Sequence, residues 1–417
     1  MKVLGYTSPA RGHLYPLVPI LLELGSRGHQ AAVRTMADEV GPLRRRGINA
    51  AAITDTIERI HNDDYLGRSS ISAIKRSLAV FAARAAAEAD DLRAAIAAEA
   101  PDFIIVDANC WGAAAAAETW GGPWASLLPY PAPLPSKDVP PFGPGLPPAR
   151  HLLGRLRDRA LRPLIVGGYE RVLLPPLNQV RRSVGAPPVV GASDMLTRAP
   201  LTLYLTAEPF EYPRSDWPTS YKLIGPVSYD PDGELPAWLD HVDRPLVVVT
   251  TSTEFQDDGA LVSAALDGLR NEDVFVVVTV PAGDPNDYQV PPNARVERFI
   301  PHSLLFPRTA CVITHAGMGA TQKALGAGVP VVAVPFGRDQ SEVARRVVIA
   351  SAGSRLPARR LSGQRLAEKV HQAMGCRAGA LVVAQAFRAA GGAAQAVTEI
   401  ETLYTADGSV TAQAPAG

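Results

Sequence analysis

The sequence predicts an α/β protein made of two doubly wound parallel sheets, on three observations. Short apolar, β-branched runs alternate with alanine-rich helical stretches, the order expected of parallel α/β layers. Runs such as Phe103-Ile104-Ile105-Val106 are apolar without a break, as strands covered on both faces require. Between residues 208 and 236 lie six prolines with Gly225 and Gly233, too broken for a helix or a central strand, which splits the strand candidates into two sets.

The first set is 3–7, 31–35, 103–107, 124–128 and 201–206, and the second is 246–251, 274–280, 295–299, 311–314 and 331–335. The boundary is placed near Gly225, giving residues 1–224 as one Rossmann-like domain, 225–406 as another, and an aperiodic tail, 407–417, expected to be mobile. A helix over 68–100 carries Ile71, Ile74, Leu78 and Phe81 at packing spacing. The proline-dense stretch 128–148 has two readings, a cover over a ligand cleft or a surface crossing.

A length of 417 residues favours two or three domains. Lys and Arg number 41 against 41 Asp and Glu, so neither an overall basic field for nucleic acid nor a polybasic membrane anchor is present, and any partner must be recognised by a local site. Cys110, Cys311 and Cys376 lie far apart without a C-x-x-C, which argues against a disulfide framework and a structural zinc, and fits a reducing cytoplasm. No signal-peptide apolar region and no apolar run of about 18 residues occurs, so a soluble cytoplasmic protein is expected.

The signatures of P-loop, zincin and α/β-hydrolase chemistry are missing. Gly317-x-Gly319 meets Gln322 where a dinucleotide fingerprint wants its third glycine, and Asp230-x-Asp232 is read as solvated rather than metal-binding. No metal is required.

Three clusters remain at predicted carboxyl ends of strands, where open α/β sheets bind ligands. In Arg11-Gly12-His13-Leu14-Tyr15-Pro16, the imidazole is either a helix-start residue or a base whose ordinary pKa near 6.5 lets it take a proton at neutral pH. Asp107, closing the Phe103 strand, orients such an imidazole, or else Asp107 or Asn109 simply caps a helix near Trp111. Third, Cys311-Val312-Ile313-Thr314-His315 runs into Ala316-Gly317-Met318-Gly319-Ala320-Thr321. Its glycines either let backbone N–H groups and a helix N-terminus approach a diphosphate, with His315 as a further donor, or only permit tight strand-to-helix packing. Cys311 is read as a small core residue.

Together the clusters resemble glycosyltransferase family 1 proteins of the GT-B fold, particularly bacterial enzymes that glycosylate natural products such as macrolides and other polyketides. The resemblance rests on Gly12-His13 with Pro16, the Asp ending the FIIVD strand, Phe299-Ile300-Pro301-His302, Thr314-His315-Ala316-Gly317, Gly328-Val329-Pro330, Val334-Pro335 and Asp339-Gln340. It covers nearly the whole chain. It implies two Rossmann-like domains facing a cleft, and an inverting, metal-independent, cofactor-free transfer of a sugar from a nucleotide diphosphate sugar to a hydroxyl of a hydrophobic aglycone. His13 is then the base and Asp107 its orienting partner, while His315 and Gly317 to Thr321 cradle the diphosphate. Asp339 and Gln340 would bind sugar hydroxyls, Ile300 and His302 the base, and Thr251, Ser252 and Thr253 would lie near the phosphates.

One position departs from the family. Relatives using uridine diphosphate sugars often carry a Glu where Lys323 stands, and a cation cannot accept from ribose hydroxyls. A dTDP-sugar, lacking the 2′-hydroxyl, is therefore favoured over a UDP-sugar, unless Lys323 is only a solvated helix residue. Trp111, Trp124, Tyr130 and Phe142 are acceptor-lining candidates or packing residues. A homodimer is compatible with the sequence, and the alternatives to a transferase are a non-catalytic GT-B auxiliary protein and a nucleotide-sugar epimerase.

Overall fold

The computed structural model describes residues 1–67, 70–254 and 256–411. Among these, β1 (Lys2–Tyr6), β2 (Gln30–Thr35), β3 (Asn49–Ala52), β4 (Phe103–Asp107), β5 (Trp124–Leu128), β6 (Leu201–Tyr204) and β7 (Tyr221–Leu223) form one sheet in the order β3-β2-β1-β4-β5-β6-β7. A second sheet joins β8 (Leu246–Thr250), β9 (Phe275–Thr279), β10 (Ala294–Glu297), β11 (Thr309–Thr314), β12 (Val331–Ala333) and β13 (Gly353–Arg355) in the order β10-β9-β8-β11-β12-β13. Every pairing is parallel. This is the predicted architecture.

Burial on both faces explains the composition of the central strands. All five residues of β4 and all five of β8 are buried. One face of the first sheet, with Val3, Phe103, Ile105 and Leu127, packs against the helix Val18–Ser26, and the other, with Leu4, Ile104 and Val106, against Ser70–Glu99 and Trp111–Trp120. Those two helices touch at Gly112, where a Cβ would lie 1.6 Å from the Ala85 carbonyl oxygen, so only glycine permits the approach. Leu78 and Phe81 pack as expected, whereas Ile74 is exposed; Arg68 and the Ile71 side chain lie outside the described residues.

Four features differ from the sequence reading. Strands β3, β7 and β13 are additional; all lie at sheet edges and are only three or four residues long, β7 and β13 lack a continuous apolar run, and β3 carries only alanines after Asn49, which favour helix over strand. The segment 128–148 neither merely crosses the surface nor stays with one sheet. Leu128, Ala132 and Leu134 pack on Tyr204 and Tyr221, and the N–H groups of Gly143 and Gly145 donate to Glu342 of the second half, both at 2.9 Å. The chain also returns to the first sheet before residue 406, because Ala396, Val397 and Ile400 of the helix Gly392–Thr411 complete the core around Val18 and Leu21. That helix continues through Thr411, past the expected end of regular structure at Ala406, while residues 412–417 lie outside the described residues.

Candidate active site

Each sheet reverses its winding once, at β1/β4 and at β8/β11, and the loops leaving those strands form crevices where doubly wound sheets bind ligands. All three sequence clusters fall there. After β1 the chain turns through Ser8-Pro9-Ala10 into the short helix Arg11–Leu14. Leu14 and Leu17 are fully buried and Arg11 turns outward to pair with Asp38 and Glu39, which leaves His13 facing the end of β4.

There the His13 Nδ1 lies 2.8 Å from the Asp107 Oδ1. Asp107 is buried, and its Oδ2 accepts from the Ser8 hydroxyl at 2.5 Å and the Ser8 N–H at 3.2 Å. Burial opposes the charged carboxylate, but His13 and the Ser8 donors outweigh it and hold Asp107 below the ordinary carboxylate range. Burial likewise disfavours imidazolium at His13, yet the Asp107 charge and hydrogen bond prevail and raise its pKa. An ionised Asp107 only accepts, so Nδ1 carries the hydrogen and Nε2 keeps its lone pair in the neutral ring. Neither Asp107 nor Asn109 caps the following helix: its N-cap is Cys110, with no side-chain capping bond.

In the second half, His315 leaves β11 and is also buried, but its nearest carboxylate oxygen, on Asp258, is 3.9 Å away and accepts instead from the Ser252 N–H at 2.8 Å. Desolvation dominates and lowers its pKa. Ala316 adopts φ +68°, and Gly317 begins the helix Met318–Gly326 with no side-chain cap, so the first-turn N–H groups of Met318, Gly319 and Ala320 lack intrahelical partners. A Cβ on Gly317 would sit 2.4 Å from the His315 Nε2, whereas one on Gly319 would meet nothing. The first glycine therefore serves packing against the imidazole and the second keeps backbone open. Thr321 is fully buried, with a hydroxyl that has no partner among the described residues.

The remaining donor candidates divide. Thr251 and Ser252 are buried at the end of β8 and Thr253 is exposed beside them. Asp339 stands at the start of the helix Gln340–Ile349; burial raises its pKa, while its backbone hydrogen bond and the Arg338 and His13 charges act against the rise. Gln340 is less available than its position suggests: its Oε1 takes the N–H groups of Phe336 and Gly337, and its Nε2 donates to Gln256. Ile300 points into the apolar core, leaving Phe299 as the exposed side chain of that segment. His302 bonds the Thr279 hydroxyl at 3.0 Å, and burial together with the Lys323 charge lowers its pKa to about 4.

Lys323 is not a solvated helix residue, nor is Asp230 a solvated carboxylate. They form a partly buried ion pair, with the Lys323 ammonium also donating to the Tyr229 carbonyl and the Asp230 Oδ2 accepting from the Ser303 N–H. Asp232 is exposed and pairs with Arg46.

Of the acceptor candidates, two are core. Trp111 packs on Phe81 among Leu173 and Leu177. Trp124 begins β5, at the edge of the sheet opposite the site, and is buried with Ala116 and Val184. Tyr130 does reach the site, its ring 6.1 Å from that of His13 and edge-on, and half-buried Phe142 lies on the segment that bridges to Glu342. Sequence reasoning missed Ser8, Asp258 and the cross-cleft pair of Arg338 with Asp64, bidentate at 2.8 Å, because no local motif marks partners so distant in the chain. Among the described residues no group of three or more His, Cys, Asp and Glu is placed to hold a metal ion.

The family described as "Erythromycin biosynthesis protein CIII-like, C-terminal domain" matches residues 263–403. The 4′-demethylrebeccamycin synthase of Lentzea aerocolonigenes is 35% identical over 376 residues, covering 87% of this chain and 89% of that protein. Among solved structures, the calicheamicin glycosyltransferase superposes with a TM-score of 0.73 at 20% identity, covering 99% of each chain. Glycosyltransferase VinC, solved in complex with dTDP, superposes with a TM-score of 0.70 at 20% identity, covering 97% of this chain and all of that one. With the two crevices above and relatives that span both of them, the chain belongs to the glycosyltransferases of natural-product biosynthesis with the GT-B fold, in glycosyltransferase family 1.

Proposed function

We propose that this glycosyltransferase moves a sugar from a nucleotide diphosphate sugar to a hydroxyl of a hydrophobic aglycone, with inversion and without a metal, in the cytoplasm. The observation that carries the reading is the His13–Asp107 pair, an imidazole whose Nδ1 is held by a buried carboxylate and whose Nε2 is the basic atom. As the acceptor O–H proton passes to Nε2, the oxygen bonds the anomeric carbon and the bond to the leaving diphosphate breaks. Asp107 stabilises the imidazolium that results. Residues 1–224, with the helix Gly392–Thr411 packed on their sheet, supply the acceptor side, and residues 225–391 the donor side.

The charge growing on the diphosphate calls for hydrogen-bond donors. The open first turn at Met318 to Ala320 and the Thr321 hydroxyl supply them, with His315 kept neutral so that it donates from one nitrogen only. Asp339 and the residues around Gln340 would face the sugar. A dTDP-linked donor is favoured because Lys323, tied to Asp230, offers no acceptor for a ribose 2′-hydroxyl. Relatives of this fold have been solved with thymidine diphosphate.

Calorimetric titration with dTDP and UDP, each with and without a chelator, tests the donor half. Tighter, chelator-independent binding of dTDP is expected; tighter UDP binding would remove the thymidine preference, and binding lost on chelation would remove the metal-independent reading.

A further inference from the structure

The base lies inside a longer hydrogen-bond chain than the dyad. On the side of the ring away from Asp107, the Asn109 Nδ2 donates to the His13 Nε2 at 3.2 Å. The Asn109 Oδ1 in turn accepts from the Tyr130 hydroxyl at 3.0 Å, and the Asn109 backbone N–H donates to the Asp107 Oδ1 at 3.3 Å. Asn109 is thus fixed at three atoms. Its backbone is held by the carboxylate that orients the base, and its amide is turned so that the donor end faces the base. The lone pair needed for proton abstraction is already occupied, although the His13 side chain keeps 19% of its accessible surface.

We propose that Asn109, anchored by Tyr130, is the residue that caps the base between turnovers, guards the bound donor against water and then donates to the entering acceptor oxygen. This rests on His13 being the base. Donor hydrolysis is the same reaction with water as nucleophile: a water proton goes to Nε2, the water oxygen bonds the anomeric carbon, and the nucleoside diphosphate leaves with the bonding electron pair. A water molecule must displace the amide from Nε2 and recovers little in exchange. An aglycone brings apolar contact that offsets the displacement, after which the freed Nδ2–H points at the incoming oxygen. Asp107, Glu254, Arg338 and Asp339 are charged groups acting on His13, and Asn109→Ala removes none of these side chains.

Two measurements on the full-length chain test this. Diethylpyrocarbonate reacts with an unoccupied imidazole lone pair, and its rate at His13, read by peptide mass spectrometry against the other histidines, should rise several-fold in Asn109→Ala without any ligand. Release of dTDP from dTDP-glucose in the absence of acceptor should rise about tenfold in the same variant, and the rise should vanish in the His13→Ala/Asn109→Ala double variant. An unchanged labelling rate overturns the capping, and faster labelling without added hydrolysis overturns the guarding role. Hydrolysis that rises and persists in the double variant overturns His13 as the base instead, which separates the two failures. If Asn109→Ala does not fold, Tyr130→Phe, which removes only the anchor of the amide, should move both readouts in the same direction and less far; no movement overturns the proposal.

Discussion

The two crevices of this protein are built alike and behave oppositely. Each lies at the reversal point of a parallel sheet, and each presents a mostly buried histidine in the segment that follows a central strand. At β1/β4 the imidazole has a carboxylate at 2.8 Å and its pKa rises; at β8/β11 the nearest carboxylate oxygen is 3.9 Å away, already engaged by a backbone N–H, and the pKa falls. Burial pushes both rings towards neutrality, so the difference comes from whether a carboxylate makes direct contact. One fold therefore holds an imidazole whose pKa is raised in one half and one whose pKa is lowered in the other.

The largest expected effect removes the first histidine. His13→Ala should lower kcat by ~10²–10⁴-fold, the usual range for a general base, with dTDP affinity nearly unchanged in calorimetry. Turnover close to wild type would take His13 out of the chemistry.

Asp107→Asn makes the first crevice resemble the second, an imidazole without a carboxylate, and should cost less than His13→Ala. Its signature is the pH profile. A base works when neutral, so activity falls as pH drops through its pKa; Asp107 raises that pKa, and removing its charge should move the acidic limb of kcat/KM to lower pH. An acidic limb that stays in place or moves up would show that another group sets it.

His315→Ala should weaken dTDP binding about tenfold, ~1.4 kcal/mol, without moving that limb. Because its pKa lies below the ordinary histidine value, wild-type dTDP affinity should show no inflection from this ring near pH 6.5. Unchanged affinity in the variant would detach His315 from the diphosphate.

The smallest effect is at Lys323. Its ion pair with Asp230 is partly exposed, so Lys323→Ala should cost only ~1 kcal/mol of stability in denaturant titration. The same change removes a cation that depresses His302, whose pKa should rise from about 4 when followed by NMR. A stationary His302 would mean burial alone holds it there.

Much of this was legible in the chain. Continuous apolar runs located the central strands, and polar residues straight after them located His13, Asp107 and His315, because burial on both faces imposes a local pattern. The residues left open were those whose local surroundings look alike in either role. Trp111 and Trp124 are aromatic wherever they point, and only packing shows one between helices and the other at the far edge of the sheet. Ile300 and Gln340 lie in a recognisable motif, yet their side chains are spent on the core and on a neighbouring loop. Asn109 was visible as a helix-cap candidate, and nothing local indicated that its amide would meet an imidazole instead.

What the sequence determined by itself is the alternation of strand and helix, the division into two sheets, and the presence of reactive side chains in loops at strand ends. These follow from hydrophobic periodicity and turn chemistry within a few residues. The tertiary structure alone decided which partners those side chains acquire: His13 and Asp107 are 94 residues apart, and Lys323 and Asp230 are 93 apart. Pairing over such separations depends on which strands become neighbours and how their loops are anchored. A carboxylate about 1 Å nearer or farther reverses the direction in which a buried imidazole's pKa moves, because in a desolvated site one direct contact competes with the whole cost of burial.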